Sequence, residues 1–204
     1  GFTAGGLLDL RRQQWNRVHR QLKVIASSRA RERPVFAFAH FLLPHDPWVF
    51  GPEGEYLPAN VVERRSRTEN YVNHLRFANR AILRLVDSLL ADRRRPQPII
   101  IVQADEGPFP LRYERDELNF DWRQATPEEV REKFGILNAL YLPGVATERL
   151  SSSITPVNTF RLVFGSYFGA DLPLLEDRIY VSAGNFAPYD FVDVTDIVMP
   201  PAKK

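Results

Sequence analysis

The sequence predicts an α/β protein: a three-layer α/β/α sandwich around a mainly parallel sheet. Three observations carry this. Helix-period and strand-type segments alternate along the chain, the first strand-type run is apolar on both faces, and several helical segments carry start or stop residues at their ends. The chain has 204 residues, 44% hydrophobic and 25% charged. That is enough to bury a core and is ordinary for one globular domain. Without a repeat, low-complexity tract or composition break, residues 1–204 read as one domain, with 1–33 as a leading helix and linker.

Leu8, Trp15, Val18, Leu22 and Ile25 form one stripe at helical spacing, so Leu7 to Ile25 is an amphipathic helix. The polar stretch Ser27 to Arg33 and Pro34 end it. Val35 to Leu43 is a continuous β-prone run and reads as a central strand. Four Pro and two Gly between Pro44 and Asn60 allow neither helix nor ladder, so this is a long loop of the kind that carries function. Ser66-x-x-Glu69 is a capping-box pattern, and Tyr71, Leu75, Ala78, Ile82, Leu85 and Leu89 continue it as a long helix. Asp92-Arg93-Arg94-Arg95-Pro96 closes that helix, and a strand follows from Pro98 to Gln103. Thr126-Pro127-Glu128-Glu129 opens a short helix that ends near Phe134, and Ile136 to Leu142 is a further strand. Thr155-Pro156 opens the next helix, which Gly169 ends in the left-handed conformation. Arg178 to Ser182 and Tyr189 to Val194 read as terminal strands.

Several function classes drop out on composition. Lys plus Arg number 27 against 25 Asp plus Glu, a net charge of +2. That is too near balance for the field on which sequence-independent nucleic-acid binding depends. Only four of the basic residues are Lys. Cysteine is absent, which removes disulfides and thiolate metal sites and leaves the redox compartment undetermined. The longest apolar run, Val35 to Leu43, is about half the roughly 20 residues of a spanning helix. Gly1, with neither an initiating Met nor a leader pattern, reads as the start of a processed piece.

The alternation also locates a site. In a strand–helix–strand unit with a right-handed crossover, the loops that follow both strands emerge at one carboxyl edge. Here those loops hold His40 and His45, and Asp105 and Glu106. Carboxylates there suit hard cations, and imidazoles admit zinc or manganese or engage phosphate. Each residue also has a plain structural reading: Asp105 and Glu106 as the end of a strand and a turn cap, His45 as a turn residue, His40 as a core histidine. The Arg64-Arg65-x-Arg67 and Arg93-Arg94-Arg95 clusters read as solvated helix ends, with contact to anionic lipid as the alternative.

His40-x4-His45-x-Pro47 after an apolar strand, Tyr71-x-Asn73 opening a helix, Ile99 to Gly107, Ile136 to Gly144 and Ile154-Thr155-Pro156 together carry a resemblance. From about Pro34 to about Gly169 the chain resembles the C-terminal half of the sulfatase-like branch of the alkaline phosphatase superfamily. Within it, lipoteichoic acid synthases and phosphoethanolamine transferases are the most similar. The resemblance implies a divalent cation (Mn, Zn, Mg or Ca) and a Ser or Thr nucleophile that forms a covalent intermediate on a phospho- or sulfo-ester. Asp105 matches the Asp of the family's Asp-His-Gly metal-ligand motif, and Glu106 stands where His is usual. His40 and His45 match the pair that binds substrate phosphate or a second metal. Trp48 is placed either to stack on a head group or to anchor its loop.

The family's nucleophile lies in an N-terminal half that this segment does not match, and Thr3 sits in no matching motif. The expected partners are therefore that N-terminal half and an anionic ester of the cell envelope, with lipid-linked esters included. An upstream membrane anchor would place the domain at the extracytoplasmic face. The segment alone is expected to be catalytically inert. The alternative is a degenerate scaffold that binds a ligand or partner, and a stand-alone α/β domain is the third reading.

Overall fold

The computed structural model describes residues 4–29 and 33–199, with side chains from Leu10 onward. Thr3 and the side chain of Leu8 lie outside the described residues. The chain divides into two compact units, Gly1–Gln97 and Pro98–Lys204.

The first unit holds α1 (Ala4–Ser28), a single turn α2 (Ala59–Val62) and α3 (Arg67–Leu90). Trp15, Val18 and Leu22 of the predicted stripe pack against Val49, Phe50 and Phe77, so α1 and α3 sandwich the proline-rich loop. Phe50 and Phe77 stack with ring centroids 4.2 Å apart. Arg11 donates to the carbonyls of Trp48 at 2.7 Å and Leu57 at 3.1 Å, and the Trp15 indole donates to Gly54 O at 3.0 Å. Ser66 Oγ caps α3 by accepting from Glu69 N at 3.1 Å. The buried face of α3 is Asn70, Asn73, His74, Phe77 and Ala78, displaced from the predicted Tyr71–Leu75–Ala78 stripe. Polar residues occupy it because the loop brings backbone groups that need partners.

Val35 to Leu43 joins no ladder, which corrects the expected central strand. Phe36 and Phe38 are 87% and 82% exposed, while Phe41 and Leu43 turn onto the core. Apolar composition makes a segment fit for a sheet, but a strand exists only where another strand pairs with it. Among the described residues of this unit the sole pairing is an isolated bridge, Phe50 with Tyr56.

The second unit contains β1 (Ile100–Gln103), α4 (Leu111–Arg115), α5 (Pro127–Phe134), β2 (Asn138–Tyr141), α6 (Pro156–Phe168), β3 (Tyr180–Gly184), β4 (Ala187–Asp193) and α7 (Thr195–Val198). The chain is therefore mixed α/β. Its strands form two antiparallel pairs, β1 with β2 and β3 with β4, in place of the expected mainly parallel three-layer sheet. The chain leaves β1 and re-enters β2 at the same end: Ala104 N donates to Leu137 O at 2.9 Å, and Gln103 Nε2 to Asn138 Oδ1 at 3.1 Å. That closure sets the antiparallel direction, which hydrophobic pattern cannot encode.

Start and stop chemistry acts locally. Thr126 and Glu129 make both bonds of a capping box, with Pro127 in the first turn. Gly169 ends α6 at φ 67°, the left-handed conformation in which glycine has no Cβ to clash. Thr155 precedes α6 without capping it, because its hydroxyl donates to Asp177 Oδ1 at 2.7 Å. Thr155 N and Asn158 Nδ2 also donate to that oxygen, each at 2.8 Å. Burial opposes ionisation of Asp177, but these bonds outweigh it and hold the carboxyl below its usual range. Two cores result, one around Phe120, Trp122, Val130, Val181 and Val194, the other around Leu142, Leu162 and Val163.

His74 is 1% exposed, and its Nε2 accepts from Val49 N at 2.7 Å and Phe50 N at 2.9 Å. Only the neutral ring offers that lone pair, and burial lowers its pKa to about 4. Above pH 6.5 the folded and unfolded states are both neutral here. Between 6.5 and about 4 only the unfolded state takes up the proton, so stability falls with falling pH by up to about 1.4 kcal/mol per unit. Below that window this group adds no further loss. Urea unfolding followed by tryptophan fluorescence, Trp15 and Trp48 lying in this unit, should show the slope in the native chain and lose it in His74→Gln.

Candidate functional site

β1 ends at Gln103, and the chain leaves it as Ala104-Asp105-Glu106-Gly107, with both carboxylates exposed. Asp105 Oδ1 accepts from Glu106 N at 3.0 Å, a local turn bond that leaves the rest of the carboxylate free. Glu106 faces Lys133 at the end of α5, with Nζ to Oε2 at 2.5 Å. The Lys133 side chain is only 6% exposed, and its Nζ lies 3.1 Å from the centroid of the Phe109 ring. Desolvation lowers the ammonium pKa, while Glu106 and then Asp105 favour the charge.

The backbone enforces this meeting. Gly107 N donates to Lys133 O at 2.7 Å, and a Cβ on Gly107 would stand 2.0 Å from Glu132 O. Only glycine allows the loop after β1 to lie against the last turn of α5. At the other end of α5, Arg112 bridges to Glu129 at 2.8 Å, fixing the helix to α4.

His40 and His45 belong to the first unit. His40 is exposed, not the core histidine of one reading, because the segment carrying it is unpaired; that role falls to His74. His40 shares an open cleft of about 430 Å³ with Arg17, Arg20, Gln21 and Phe38, and its carbonyl accepts from Gln21 Nε2 at 3.0 Å. His45 is exposed, with Nδ1 2.8 Å from Asp46 Oδ1. The Trp48 carbonyl is tied to Arg11, so Trp48 anchors its loop. Of the Arg clusters, Arg65 pairs with Glu69 at 3.4 Å, and Arg94 and Arg95 with Asp92.

Asp105 and Glu106 are thus brought together in one unit, and His40 joins two arginines in the other. Among the described residues no group of three or more His, Asp or Glu forms a metal-holding cluster, and no helix is long and apolar enough to cross a membrane. Lys133 was missed from sequence because its position in a short polar helix carries no apolar signal. Gly107 directly after two acids was the available clue. Comparison of the chain with protein-family models, with curated proteins and with solved structures gives no match.

Gly107→Ala should push the loop off α5 and expose Lys133. The expected cost is about 2–4 kcal/mol, read as a loss of unfolding free energy at Trp122, with Lys133 becoming reactive to amine acetylation. Unchanged protection of Lys133 would contradict the close-approach argument.

Proposed function

We propose that the chain is the C-terminal part of a sulfatase-like hydrolase or group transferase that acts on anionic phospho- or sulfo-esters of the cell envelope. The observation that carries this reading is that His40 shares an open surface cleft with Arg17, whose guanidinium also bonds Gln14 Oε1, and Arg20: imidazole and guanidinium are side-chain types that suit an esterified phosphate or sulfate. The motif order from His40 to Thr155 supports it. His45 is the second substrate-side imidazole. In this reading the N-terminal half supplies the Ser or Thr nucleophile and an anchor that holds the domain at the extracytoplasmic face. It also supplies the strands that would complete a three-layer sandwich with a mainly parallel sheet, next to the bare run from Val35 to Leu43.

The reading includes a divalent cation, which would stabilise charge on the ester and lower the pKa of the attacking hydroxyl. Asp105 fits as a ligand, since its carboxylate is exposed and bonded only by the adjacent N–H. Glu106 as it stands does not, because the Lys133 ammonium holds it. That pair favours a second reading, a scaffold that keeps the ester-binding cleft and has lost turnover.

The test is an NMR titration of residues 1–204 with glycerol phosphate and with sulfate. Binding that broadens the His40 ring signals, weakens with salt and falls about tenfold in His40→Ala/Arg20→Ala supports the cleft. Equal binding by that variant overturns it. Hydrolysis of a generic phosphodiester by these residues alone would refute the external nucleophile.

A further inference from the structure

We infer that the Lys133 ammonium is the resident cation of Glu106, occupying by charge the place at the end of β1 that the resemblance assigns to a metal–ligand bond. The geometry of Glu106, Gly107, Phe109 and Lys133 carries the inference; the metal it is set against rests on the proposed sulfatase-like reading, while ester binding at His40 does not enter it.

A lysine side chain is almost never fully buried unless its charge is answered. Lys133 has two answers, the Glu106 carboxylate and the face of the Phe109 ring. The lysine is the more deeply placed partner, 6% exposed against 43% for Glu106. The carboxylate reaches in to the cation, as it would to an ion fixed in the protein. Nor is the ammonium free to swing away. Gly107 N holds the Lys133 carbonyl, the missing Cβ at Gly107 lets the two backbones touch, and the capping box and the Arg112–Glu129 bridge hold the start of α5. A divalent ion on Glu106 would sit at contact range from this ammonium and be repelled by it. Glu106 is then a structural carboxylate, and Asp105, which feels the Lys133 charge more weakly, is the acid of this pair more open to an added ion.

Thermal unfolding of residues 1–204 in EDTA and in MnCl2 tests this, with Glu106→Gln, Lys133→Met and the double variant. In EDTA each single substitution should lower the midpoint, and the double variant should fall no further than the lower single, the mark of a coupled pair. Any rise that Mn2+ gives the native chain should persist in Glu106→Gln. Two results would overturn the inference: losses that simply add in the double variant, or a Mn2+ rise in the native chain that Glu106→Gln removes. The second comparison needs only the native chain and Glu106→Gln, so it holds even where Lys133→Met does not fold. Ester binding at His40 is a separate readout, so failure there leaves this result intact.

Discussion

Burying a polar group without a partner costs several kcal/mol, and both units are organised by meeting that constraint at one side chain. In the first, the backbone N–H groups of Val49 and Phe50 would be stranded beneath the proline-rich loop. One imidazole, His74, takes both. Phe50 is thereby fixed on Phe77, and the loop that carries His45 has a floor. In the second, a buried ammonium plays the organising part, and the carboxylate it needs comes from the loop after β1. Remove either group and what remains is a set of donors or a charge with nothing opposite it.

The two devices differ in how they respond to surroundings. His74 works as a neutral acceptor, so acid withdraws the lone pair on which its two bonds depend. Lys133 works as a charge, and its deep placement makes the Glu106 carboxylate more valuable than an exposed ion pair, which contributes about 0–1 kcal/mol. Arg123 with Asp121 and Asp190, and Arg178 with Glu176 and Asp193, are of that exposed kind.

Local chemistry was legible in the sequence. The caps at Ser66 and Thr126, the stop at Gly169 and the helical stripe of Trp15, Val18 and Leu22 are each settled within a few residues of chain, and each forms. Pairing was not legible. Val35 to Leu43 has the composition of a central strand but no neighbour, and the direction of β1 against β2 is set by a closure between Ala104 and Leu137. The site divides along the same line. Asp105 and Glu106 could be located because strand ends are local, whereas Lys133 reaches Glu106 through a contact 27 positions away that no spacing announces. His74 was hidden for a related reason: its value comes from loop amides that only the folded chain brings to α3.

The bare stretch from Val35 to Leu43 has a consequence of its own. Its N–H and C=O groups join no ladder, and Phe36 and Phe38 stand in solvent. Backbone groups left unpaired in an apolar segment are open to pairing with another strand. The same segment of a second molecule has the same composition and the same unpaired backbone, so pairing between copies grows with concentration.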